Sequence, residues 1–150
     1  MFIRHFEGHK DLDVLVEFED LCFPNYGWSR SEYEDIIGDP DLVFFMVFES
    51  EEEKQIIAYG FGFKNQGDEF WFNGNAVHPD FRRKGLGNLM IALREVAARV
   101  AGDKRISVEM STINHSSIAM HKKAGFKPTG EIVEKYYRNG EDALKMEKEL

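Results

Sequence analysis

The sequence predicts a mixed α/β fold, an α+β arrangement around one mixed sheet, in a single domain spanning residues 1–150. Three observations carry this. The chain has 150 residues, 43% of them hydrophobic and thirteen of them phenylalanine, enough for one packed core. Its apolar residues switch repeatedly between a period of two and a period near 3.6, in the order β-α-α-β-β-β-α-β-α-β-β. Between the fourth strand and the third helix lies a short basic loop with two glycines one residue apart.

Phe2–Phe6 reads as a short strand, and Lys10–Phe23 as a helix with Leu12, Leu15, Val16 and Cys22 on one face. Pro24-Asn25-Tyr26-Gly27 breaks that helix. Ser29-Arg30-Ser31-Glu32 has the spacing of a capping box and opens a second short helix that buries Tyr33, Ile36 and Ile37, ended by Gly38-Asp39-Pro40. Leu42–Glu49 and Gln55–Lys64 form a hairpin across the acidic run Glu49–Glu53, which reads as a solvated loop. A turn at Asn65–Asp68 leads to the strand Glu69–Val77, where Gly74 and Asn75 mark a bulge.

Leu86, Leu89, Met90, Leu93, Val96, Ala97 and Val100 give Leu86–Ala101 a long helical stripe, stopped by Gly102-Asp103. Arg105–Ser111 alternates, with Ile106, Val108 and Met110 on one side and Ser107, Glu109 and Ser111 on the other. Asn114–Ala124 is a shorter helix stopped by Gly125. Two strands close the chain, Phe126–Tyr137 and Ala143–Leu150, turned at Arg138-Asn139-Gly140.

Composition narrows the function. A net charge of −8 argues against general nucleic-acid binding and suits a cationic partner such as an amine. No apolar run approaches a membrane span and the N-terminus lacks a signal-peptide core, so a cytoplasmic protein is expected. The single cysteine, Cys22, excludes an internal disulfide framework and reads as buried filler. The five histidines are scattered, and no metal is expected.

The chemistry concentrates in Ala76-Val77-His78-Pro79-Asp80-Phe81-Arg82-Arg83-Lys84-Gly85-Leu86-Gly87-Asn88. Glycines admit close backbone approach, the free N–H groups of a starting helix attract an anion, and adjacent cations add charge pairing. Taken alone, such a loop also fits an ordinary strand-to-helix turn. There is no P-loop spacing, and Met90 stands where a dinucleotide fingerprint needs its third glycine.

Arg82-x-x-Gly85-x-Gly87 resembles the acyl-CoA pyrophosphate loop of the GCN5-related N-acetyltransferases, the GNAT superfamily, and Ala76-Val77-His78-Pro79 resembles the end of that family's central strand. The order of elements resembles the same fold over residues 2–150. The resemblance implies acetyl-CoA as co-substrate. Its pyrophosphate would lie on the N–H groups of Arg83 to Asn88, and its thioester carbonyl on a backbone N–H near Val77, with Ala76, Arg82, Lys84, Gly85, Leu86 and Gly87 completing the binding stretch.

Asn114-x-x-Ser117-x-x-x-His121-x-x-x-Gly125-Phe126 begins 27 residues after Gly87 and resembles the second motif of the family. Asn114 and Ser117 would then sit along the pantetheine arm. His121 departs from the tyrosine usual there, whose hydroxyl protonates the leaving thiolate; an imidazole could supply that proton or merely fill the position. By resemblance to the ribosomal-protein alanine and N-terminal protein acetyltransferases, Glu109 would be the general base. Tyr136 and Tyr137 of the terminal hairpin, with Tyr26 and Trp28 of the early loop, would contact the substrate, the two tail tyrosines also being alternative acids.

The expected reaction is transfer of an acetyl group to a peptide or protein α-amine. Two alternatives stand beside it: a small amine acceptor (polyamine, amino acid or aminoglycoside), or a non-catalytic acyl-CoA-binding module. The terminal strands offer an edge for a homodimer, although no residue requires one.

Overall fold

The computed structural model describes residues 1–150. Seven strands, β1 (Phe2–His5), β2 (Leu42–Phe48), β3 (Ile56–Phe63), β4 (Glu69–Val77), β5 (Arg105–Ser111), β6 (Lys127–Val133) and β7 (Ala143–Glu149), form one sheet in the order β1-β2-β3-β4-β5-β7-β6. Only β4 and β5 pair in parallel; the other neighbours are antiparallel. Four α-helices cover it: α1 (Leu12–Cys22), α2 (Arg30–Ile36), α3 (Leu86–Ala101) and α4 (His115–Lys123).

Side chains alternate across a strand, so β2 and β3 supply both faces. Phe44, Met46, Tyr59 and Phe61 pack with Leu12, Leu15, Phe18 and Tyr33 of α1 and α2. Val47, Ile57 and Ala58 pack with Leu86 and Met90 of α3. Phe70, Phe72, Ile106, Val108 and Met110 continue the α3 side with Ile91 and Ala98.

The decisive irregularity is in β4. Phe61 of β3 faces Gly74, but the next residue, Gly62, faces Phe72, so Asn73 is an extra residue on β4. A one-residue insertion reverses the alternation beyond it. Phe70 and Phe72 therefore lie on the α3 side, whereas Ala76, which also has an even number, lies on the α1 side. The parallel ladder runs from Glu69 opposite Arg105 to Phe72 opposite Val108 and stops there. Beyond that point β4 follows β3 as far as Val77 opposite Ala58, and β5 follows β7 as far as Ser111 opposite Ala143. The two central strands part.

The structure shifts several sequence boundaries. The first helix starts at Leu12, because the Asp11 carboxylate takes the Glu7 N–H at 2.7 Å and pairs with Arg4, leaving Gly8–Lys10 as a separate 3₁₀ turn. Its buried face includes Phe18 and Glu19, while Val16 is half-buried. Tyr33 is buried as expected, but Ile36 and Ile37 are half-buried. The acidic loop is not wholly solvated, since Glu53 binds the Arg4 guanidinium. The strand expected to reach Tyr137 ends at Val133; Lys135 turns the chain at φ +50°, which puts Tyr136 and Tyr137 in a loop. Cys22 is buried as expected, and its thiol is pushed up to about 11, chiefly by burial. No helix is long and apolar enough to cross a membrane.

Beside the bulge, Gly62 lies against the neighbouring strand: a Cβ there would collide with the Trp71 carbonyl and sit 2.6 Å from the Phe70 ring. Gly62→Ala is expected to lower the unfolding free energy by about 2 kcal/mol. Denaturant unfolding checks this; wild-type stability would mean that the bulge yields without penalty.

Candidate active site

Where β4 and β5 part, a cleft of about 770 Å³ opens through the sheet. Phe72, Val108 and Met110 line it from the α3 side, and two loops, around Tyr26–Trp28 and Tyr136–Asn139, form its other mouth. It brings together Glu109, Asn114, Ser117, His121, Tyr26, Trp28, Tyr136 and Tyr137. The basic-loop residues Ala76, Val77, Arg82, Arg83, Lys84, Gly85, Leu86, Gly87 and Asn88 do not line this cleft; they form the end of β4 and the start of α3.

That loop has the donors an anion needs. Within the protein no acceptor takes the N–H groups of Arg83 through Asn88; the first bonded amide of the helix is Leu89, to the Gly85 carbonyl at 3.0 Å. Gly85 caps α3 in the left-handed region at φ +86°, and Arg83 precedes it at φ +65°. Arg82 turns back, its Nε donating to the Val77 carbonyl at 3.1 Å, and Lys84 stands over the Phe81 ring. Arg82 thus fixes the loop against β4. The His78 N–H bonds the Ile57 carbonyl at 2.8 Å, so antiparallel alternation turns the N–H of Val77 away from β3, toward the side where β5 has parted.

The loop-framed mouth of the cleft has a buried acid that the sequence reading missed. Glu19 of α1 is 2% exposed, lines the cleft, and accepts from the Trp28 N–H at 2.7 Å and from the Tyr59 hydroxyl. The Tyr33 hydroxyl donates to Tyr59 at 3.3 Å. Burial pushes the Glu19 carboxyl up, against the pull of those hydrogen bonds. A Cβ on Gly27 would fall 2.7 Å from Glu19 Cγ, so the loop closes over the acid only with glycine there. Arg138 spans the mouth, donating to the Gly27 carbonyl at 2.6 Å and pairing with Glu32.

Glu109 is half-buried on β5. Burial, with the Glu109 carboxylate beside it, pushes the Tyr136 phenol up, and burial does the same for Tyr137. Asn114 caps α4 by accepting the Ser117 N–H at 3.2 Å. His121 is 1% exposed, packed against Phe72 and Phe126. Its Nδ1 lies 2.8 Å from the Ser117 carbonyl, which can only accept, so Nδ1 carries the proton. Its Nε2 has no partner, and burial pushes its pKa down. A neutral ring so held has no proton at Nε2 to give.

Arg94 of α3, also missed, is fully buried and lines the cleft. Glu19 falls four residues after Leu15, and Arg94 four after Met90, so a charged residue on a buried helical stripe was the available signal for both.

The acetyltransferase (GNAT) family model matches residues 12–126, and the chain belongs to that family. It is accordingly an acyltransferase of a family that uses acetyl-CoA. Over 137 residues it is 26% identical to a Bacillus subtilis (strain 168) protein provisionally named a [ribosomal protein bS18]-alanine N-acetyltransferase, a match covering 91% of this chain and 88% of that relative. The ribosomal-protein-S18-alanine N-acetyltransferase from Escherichia coli has the same fold, with a TM-score of 0.84 at 23% identity over 99% of this chain and 92% of that one. A Bacillus subtilis acetyltransferase solved in complex with CoA superposes with a TM-score of 0.77 at 15% identity over 99% and 97% of the two chains.

Two outcomes test this geometry. A raised carboxyl pKa means the folded chain keeps a proton that the unfolded chain has lost, so stability falls as pH climbs past the unfolded value of 4.5. Wild type should therefore lose stability relative to Glu19→Gln between pH 4 and pH 8 in denaturant titrations; a constant difference would deny the buried acid its effect. A Cβ on Gly87 would lie 2.7 Å from the Met120 sulfur, at the junction of α3 and α4. Gly87→Val should weaken CoA binding at least tenfold by calorimetry, and unaltered affinity would move the cradle elsewhere.

Proposed function

We propose that this chain is an N-acetyltransferase that moves the acetyl group of acetyl-CoA onto the α-amine of a protein or peptide N-terminus. The observation that carries the reading is the position of Glu109: a half-buried carboxylate on β5, in the gap left by β4, beside Tyr136 and below a mouth framed by Tyr26 and Trp28. The end of an extended chain suits an opening of that form. The Bacillus subtilis relative named as a ribosomal-protein alanine N-acetyltransferase supports the same acceptor class. A ribosomal-protein type of substrate would place the reaction in the cytoplasm.

The pyrophosphate lies on the Arg83–Asn88 amides, held by the helix N-terminus. The pantetheine arm runs past Asn114 and Ser117 into the gap. The Val77 N–H polarises the thioester carbonyl and stabilises the oxyanion. Glu109 removes a proton from the ammonium, directly or through water, and the free amine attacks the carbonyl carbon. The C–N bond forms, the C–S bond breaks, and the CoA thiolate takes a proton. Tyr136 and Tyr137 suit the donor role better than His121: both phenols stay protonated at neutral pH, whereas the His121 proton is held on Nδ1 by Ser117.

A second reading rests on the cleft's carboxylates. Glu19, Glu32, Glu109 and Glu141 outnumber Arg94 and Arg138 among its lining charges, which also suits a small polycation.

Glu109→Gln should lower kcat about 100-fold while the acetyl-CoA Kd stays within twofold. Unchanged kcat across the pH range would remove Glu109 from the base role. Of three further substitutions, Tyr136→Phe or Tyr137→Phe should slow turnover more than His121→Phe; the reverse order would restore the imidazole as the acid.

A further inference from the structure

Two buried side-chain atoms in the molecule have no hydrogen-bond partner, Nη2 of Arg94 and Nε2 of His121. Both residues line the same cleft and both pack on the Phe72 ring, at the point where β4 leaves β5.

Arg94 is the more unusual of the two. It is 0% exposed, and its contacts hold it rigidly. Nε donates to the Met90 carbonyl at 3.0 Å, and Nη1 to the carbonyls of Phe61 at 3.1 Å and Gly74 at 3.2 Å. The Phe72 ring centroid lies 3.9 Å from the guanidinium carbon. With those positions taken, Nη2 is the one unpaired edge of a side chain that lines the cleft. Every one of these partners is neutral, and no carboxylate pairs with Arg94. A buried cation without a counter-charge is strongly unfavourable. A water molecule would satisfy the hydrogen bond but leave the charge uncompensated. A carboxylate would supply both, and a proton gained by His121 would give it a second donor.

The position indicates which substrate brings that carboxylate. Arg94 lies on α3, seven residues beyond Gly87 and therefore about 10 Å down the same helix face. Glu109 lies on the opposite side of β5 from Val108; with Glu109 facing the amine, as in the reading above, Arg94, Phe72, Val108 and Met110 are left for the acyl donor.

We infer that the floor of the cleft is an acyl-end subsite for a carboxylate, so that an acyl-CoA whose chain ends in a second carboxyl group, such as succinyl-CoA, is favoured over a neutral acyl-CoA of equal length. The inference rests on the acyl-CoA reading above and specifies the donor. The transfer is otherwise the same. The amine nitrogen bonds to the thioester carbonyl carbon, the C–S bond breaks, CoA leaves as the thiol with the proton lost by the amine, and the distal carboxylate remains unreacted beside Arg94.

The test is calorimetric binding of free CoA, acetyl-CoA, butyryl-CoA and succinyl-CoA to the wild-type chain and to Arg94→Met. Succinyl-CoA should bind wild type at least tenfold more tightly than butyryl-CoA, which matches its four-carbon chain, and Arg94→Met should abolish that preference while free CoA binds both proteins alike. Equal or weaker binding of succinyl-CoA to wild type overturns the inference while leaving the acetyltransferase reading intact; binding of none of the four overturns both. Retention of the preference by a folded Arg94→Met also overturns it. If the variant does not fold, a wild-type structure with succinyl-CoA decides: a carboxylate oxygen within hydrogen-bond distance of Arg94 Nη2 supports the subsite, and one placed elsewhere refutes it.

Discussion

The ladder between β4 and β5 ends at Phe72 opposite Val108, and the proposed chemistry depends on that ending. A parallel pair that continued would close the sheet and leave nowhere for a thioester to meet an amine. The extra residue Asn73 prevents this in two ways. It shifts β4 against β3 by one residue while the two strands stay paired, and it reverses the alternation, so Phe72 and Ala76 serve opposite faces. A bulge also disturbs the pairing of nearby carbonyls, and buried carbonyls need donors. Arg94 donates to one carbonyl on each strand at the pair bordering the irregularity, Phe61 on β3 and Gly74 on β4. The parting of the strands and the burial of a guanidinium are thus one feature.

In the proposed reaction the two substrates are served by different parts of the molecule on either side of that gap. The α3 side supplies unbonded amides at a helix start, with Arg82 pinning the loop to the Val77 carbonyl. The other side supplies carboxylates and aromatic rings on two loops, joined by Arg138 to the Gly27 carbonyl and Glu32. Glu19 connects this mouth to the core, because its single carboxylate fixes Trp28 through the backbone and Tyr59 through the hydroxyl. A residue on α1 therefore helps shape the mouth without reaching into the chemistry.

The order of elements along the chain, the long helix after the basic loop and the two motif spacings were legible in the sequence, because glycine conformations and apolar periods are local properties. The left-handed turn at Gly85 that opens α3 was legible for the same reason. Glu19 and Arg94 were not: each is a charged residue on a helix face whose burial is settled by distant strands. Tyr136 and Tyr137 read as strand residues, since tyrosine is itself β-forming, but the φ of Lys135 and the Asp142 carboxylate on its N–H turn them into a loop over the cleft. The spacing put His121 in the motif, but it could not show that the Ser117 carbonyl would hold the proton on Nδ1.

The central claim is that acyl transfer to an N-terminal amine occurs in the gap between β4 and β5. It is tested most directly by incubating the protein with acetyl-CoA and a mixed panel of free-N-terminus peptides, polyamines and amino acids, following thiol release and locating the added acetyl group by mass. The account predicts thiol release coupled to acetylation of peptide α-amines. Release coupled only to small amines would contradict the assigned acceptor, and binding of acetyl-CoA without any product would contradict catalysis at this site.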